Sequence, residues 1–218
     1  MRRSIRLAVA MTATTVILMA QTQETILSKL RTSVAESQAA ATAGLAAFKT
    51  LAKTGNIQSY GFQQGDDIAS AALGQASVEF LVRLDQLREY QPGKDAVSLL
   101  SGGDKVVYPV TIGGQVRSSI VVDKGASGWK AVAFGGPQLI QRLSEARGKV
   151  SAQAAATMLV NVGALGAYFL GEIRGAQLFL SSLADQPELN LKAGATDEAP
   201  KVFAALAPIA RSFNGLPR

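Results

Sequence analysis

The sequence predicts an α+β protein: a curved antiparallel β-meander packed against a long N-terminal amphipathic helix, with further helices at the side. Three observations lead there. Residues Glu24–Thr54 contain no proline and repeat apolar side chains at a helical period. Lys105–Phe134 holds three β-rich runs joined by short glycine-containing turns. No helical crossover separates those runs, as parallel βαβ pairing would require.

In chain order, Arg2, Arg3 and Arg6 precede an uncharged run, Leu7–Ala20, which Gln21–Glu24 ends. A positive start, a short apolar stretch and a small residue before a polar segment are the parts of a secretory signal. The run has 14 residues, where crossing a bilayer takes about 20. The expectation is therefore a signal peptide over 1–20, cut after Ala20, and no transmembrane span in the mature form. Leu18 is larger than the cleavage pattern prefers, so an anchor left uncut is the alternative. Arg2-Arg3 also leaves export by the general or the twin-arginine route open.

The following helix, residues 21–56, places Leu27, Val34, Ala41 and Phe48 every seven residues, flanked by Leu30 and Leu51, and stops at Gly55-Asn56. Ser37 and Gly44 fall where a coiled coil would want Leu. The stripe is thus expected to pack on the chain's own sheet, with oligomerisation through this helix as the alternative.

An α+β body is expected over 57–212, forming one domain with the helix. Asp66-Asp67 before IASAAL reads as a capped short helix. Ser77–Leu84 reads as a strand, and Asp85–Leu100 as two helical turns around Pro92-Gly93. KVVYPVTI and QVRSSIVV flank Gly113-Gly114 as a tight hairpin. Pro109 cannot donate to a ladder, which predicts an edge strand or a bulge. DKGASG then turns into WKAVAF, and Pro137 opens a helix over Gln138–Arg147. Glycines weaken a helix in Met158–Glu172, so two strands or one bent strand around Ala164-Leu165 are expected, followed by AQLFLSSL. Asp197–Pro200 opens a last helix to about Arg211, and 213–218 is a frayed tail. In shape this arrangement is similar to cystatin or NTF2-type folds, a likeness that implies no function.

Composition narrows the chemistry. The chain is +6 at neutral pH, and the three arginines of the export segment supply half of that. The remaining basic residues are scattered, without the stripe that nucleic-acid binding uses. Neither cysteine nor histidine is present, which excludes Cys/His zinc sites, Ser-His-Asp triads and Cys-His dyads. Ser127-Gly128-Trp129-Lys130 matches S-x-x-K, but in a turn and strand, without its partner motifs. Gly102-Gly103-Asp104-Lys105 lacks the first glycine and the Ser/Thr of a P-loop. No catalytic residue, metal ligand or cofactor is assigned.

These observations predict an exported envelope or secreted protein, periplasmic or extracellular, that binds another such protein without being an enzyme. The expected site is a sheet edge around Tyr108, Pro109 and Ile112, since an open edge accepts an added strand, together with Trp129. The alternative is a small-ligand carrier or carboxylate-based hydrolase in the sheet's concavity. It predicts that Asp66, Asp67, Glu79 or Glu172 face one shared pocket.

Overall fold

The computed structural model describes residues 4–54 and 57–215, with side chains for 23–52 and 57–215. The side chains of the export segment, the Gly55-Asn56 stop and the last three tail residues lie outside these. Helix α1 (Ser4–Thr54) is followed by β1 (Ala72–Leu73), β2 (Ser77–Val82), α2 (Leu84–Arg88), β3 (Leu100–Ile112), β4 (Gln115–Gly125) and β5 (Gly128–Phe134). Then come α3 (Pro137–Arg147), β6 (Ala154–Val162), β7 (Ala167–Arg174), β8 (Gln177–Ser182), β9 (Thr196–Glu198) and α4 (Ala199–Ser212). This is the α+β fold with a curved, mostly antiparallel open sheet that the sequence predicts. No helix of the described residues is long and apolar enough to cross a membrane.

The sheet has nine strands in the order β5-β4-β3-β2-β6-β7-β8-β9, with β1 pairing β3. Its central pair, β2 with β6, is parallel, the one departure from the expected antiparallel meander. The chain leaves the outer strand β5 through α3 and re-enters beside β2, so α3 crosses one face of the sheet. That crossing makes the parallel seam and covers the face opposite α1. Residues 158–172 form two strands joined by the turn Gly163–Leu165, where Gly166 takes a left-handed φ of 64°. The helix expected after Asp67 is a single 3₁₀ turn, Ile68–Ser70, because Ala72 and Leu73 pair with β3 instead.

Helix α1 meets the sheet along Ile26, Leu30, Ser33, Ser37, Ala41, Gly44, Phe48 and Ala52, spaced three and four apart. Leu30, Ala41 and Phe48 of the expected stripe lie on this line, whereas Leu27 and Val34 flank it and Leu51 is exposed. Ser33 donates to the Gly103 carbonyl at 2.7 Å, and Ser37 Oγ meets Tyr108 Oη at 2.8 Å. A Cβ on Gly44 would stand 2.7 Å from Ala131 Cβ, so glycine allows helix and sheet to touch. The main core lies between α1, α4 and this sheet face. A smaller core of Val107, Ile140, Leu143, Leu159, Leu170 and Leu183 lies under α3.

Pro109 does not mark an edge. Strand β3 runs inside the sheet, with β4 on one side and β1 and β2 on the other. Pro109 faces the gap between Leu73 and Ser77, where no strand needs its missing N–H. Gly74 donates to the Pro109 carbonyl there at 2.7 Å, and a bulge follows between Val110 and Thr111.

Candidate functional site

The four residues expected to form a binding edge do not share a surface. Tyr108 is buried in the main core, and burial pushes its hydroxyl's pKa above the ordinary tyrosine range. Pro109 packs beside Gly74, and Ile112 ends β3 at the Gly113-Gly114 hairpin. Trp129 lies on the α1 side, donating from Nε1 to Glu36 at 3.1 Å, while Lys124 donates to the same oxygen at 2.8 Å. The outer strands of the sheet are β5 and β9 instead.

The acids proposed to share a pocket are also dispersed. Asp66 pairs with Arg117 at 3.3 Å, and Asp67 caps the 3₁₀ turn through the Ala69 amide. Glu172 is buried and accepts from Arg174 at 2.7 Å and from the Ser151 amide. It lines a cleft of about 330 Å³ beside Arg142, Lys149 and Asp185. Glu79 is the one of the four that lines a second cleft, between α3 and the central strands.

There α3 and the sheet enclose a cleft of about 460 Å³. Pro137 at the start of α3 follows Gly136, whose left-handed φ of 65° turns the chain off β5. Ser119 and Gly135 exchange backbone hydrogen bonds and hold that exit against β4. The helix then presents Leu139, Ile140 and Leu143 to Val107, Val121 and Leu159 of the sheet, and these make the apolar lining. Val132 and Ala133 of β5 form its outer rim, Val132 being 58% exposed.

One end of the cleft is charged. Glu79 pairs in register with Lys105, Lys105 with Asp123, and Asp123 with Lys130. Residues opposite one another on neighbouring strands point to the same face, so a row of alternating charge crosses β2, β3, β4 and β5. Glu79, Lys105 and Asp123 line the cleft with Asn161 and Tyr168. The Glu79 side chain is 8% exposed, with Lys105 Nζ 3.9 Å away. Asn161 Nδ2 donates to its Oε1 at 2.7 Å. An ionised carboxylate offers about four lone-pair sites, so these contacts leave acceptor capacity in Glu79. Asn161 Oδ1 is buried without a hydrogen-bond partner.

Gly102 and Gly103 build this end. Both have positive φ, and the β2–β3 register shifts across them, which places a bulge immediately before Lys105. The phosphate-loop-like run GGDK is therefore a bulge that orients a strand. In the sequence Glu79 stands out as one of four candidate acids and Lys105 as the end of the GGDK run; Tyr168, Asp123 and Asn161 carry no local signal. No group of three or more metal-binding acids occurs among the described residues. Compared with protein-family models, curated proteins and solved structures, the chain matches none, so the site stands on its own residues.

Proposed function

We propose that this chain is an exported, non-enzymatic binding domain that takes a small amphipathic ligand in the cleft between α3 and the sheet. The observation that supports the reading best is the cleft itself: an apolar lining, an exposed rim and a buried, incompletely bonded carboxylate at one end. Its volume of about 460 Å³ falls within the roughly 300–1,000 Å³ of ligand pockets, which combine apolar walls with a few polar groups. Binding suits this chemistry better than hydrolysis. Lys105 stands between Glu79 and Asp123 in the register, where two acids acting on one bond would need their substrate.

Binding of a partner protein by strand addition would fall to β5, since the other outer strand, β9, has three residues and leads straight into α4. That edge carries a bulge at Val132, which has no partner in β4, and an exposed Lys130. Both devices discourage strand addition, so the cleft is the favoured site. Titration with octanol, followed by amide and methyl shifts, tests this. Shifts centred on Val121 and Leu139 are expected, whereas shifts confined to the β5 edge or absent at saturation refute it.

Export rests on Arg2, Arg3, Arg6 and the apolar run to Ala20. N-terminal sequencing of the protein recovered outside the cytoplasm is expected to begin at Gln21. Recovery with Met1 retained would replace the cleaved signal with an anchor.

A further inference from the structure

We infer that the ligand of this cleft is an amphipathic amine: an apolar body against α3, with an ammonium group directed at Asp123, on the far side of Lys105 from Glu79. The inference rests on the cleft being the binding site and adds the class of molecule it selects. The charged groups lining it are Glu79, Lys105 and Asp123, two acids to one base. The chain as a whole is positive, so the cleft is a local reversal of sign. Its unused hydrogen-bonding capacity is of one kind as well. Glu79 accepts one hydrogen bond and makes one long ion pair with Lys105, so Asp123 is the acid of the lining left to an incoming cation.

An ammonium group brings three donors and no acceptor, which complements that set. A carboxylate head would meet two like charges, and only Lys105 among the charged groups of the lining would favour it. Lys130, the fourth member of the row, is exposed beyond the lining and lowers the contrast without entering the cleft. The apolar body has the part-exposed Val121, Val132, Ala133 and Leu139 to cover, with Val107, Ile140, Leu143 and Leu159 packed behind them. Each methylene removed from water there contributes about 0.8 kcal/mol, or close to fourfold in affinity.

Calorimetric titration of the full chain with octylamine, octanol and octanoate tests this, since the three share one chain length and differ in the head. The expected order of affinity is octylamine, octanol, octanoate. Asp123→Asn is expected to weaken octylamine about tenfold, the scale of a charge-assisted hydrogen bond, and to leave octanol unchanged. Ala133→Trp, at an exposed rim position, is expected to abolish binding of all three.

If octanol or octanoate binds as tightly as octylamine and Ala133→Trp still abolishes it, the amine assignment falls and the cleft remains. If none of the three binds, or binding survives Ala133→Trp in a protein with an unchanged urea midpoint, the cleft reading falls with it. If Ala133→Trp does not fold, contacts from octylamine to the Val121 and Leu139 methyls in the unsubstituted chain decide between the same outcomes.

Discussion

Glu36, half-exposed on α1, accepts from Lys124 and from the chain's single tryptophan, Trp129. The Lys124 hydrogen bond first, and the Trp129 bond second, hold its carboxyl below the ordinary value of 4.5. A carboxylate whose folded pKa is depressed stabilises the fold above its unfolded pKa and loses that contribution as pH falls through the folded value. Glu36→Gln should therefore lower the urea midpoint at neutral pH. The two midpoints should converge as pH falls below 4.5, with Trp129 emission following the same change; a gap independent of pH would contradict it. The sequence places Trp129 with the expected binding edge and leaves open what it touches. The answer lies in a residue 93 positions away, which no local pattern reveals.

The α1–sheet contact reverses a common rule at the scale of elements. Glycine inside a helix ordinarily costs about 1 kcal/mol relative to alanine, so Gly44→Ala on an open face would stabilise. Here the new Cβ would lie 2.7 Å from Ala131 Cβ and 3.2 Å from Ile120 Cγ2. The helix must lift or the sheet must yield, and overpacking of this kind costs about 1–3 kcal/mol. Gly44→Ala should thus destabilise in a denaturant titration, and an unchanged or higher midpoint would show that α1 does not sit this close. The sequence marks Ser37 and Gly44 as gaps in a heptad. They are instead the seat of the helix, because a helix close to a sheet needs small residues on its contact line. The elements themselves were legible, since helical period, the Gly-Gly hairpin and the strand runs are local signals. Strand neighbours were not: Pro109 fits equally an outer strand or an inner one opposite a gap between two short partners.

For the molecule as a whole, the α+β class followed from the order of elements. The cleft did not, because register alone unites its charged end. Glu79, Lys105 and Asp123 come from three strands separated by a bulge, two helical turns and a hairpin. The rim depends on α3 crossing from the outer strand to the sheet's centre, a path that the antiparallel reading of the sequence did not contain. The binding account follows from that crossing, which leaves α3 over half of one face and the β5 end of the cleft open. Its most direct test is to measure proton–proton contacts between bound octylamine and the full chain by NMR. The account predicts contacts from the octyl chain to the methyls of Val121 and Leu139. Contacts only to the exposed apolar residues Leu51 and Leu81, or none at saturating ligand, would contradict it.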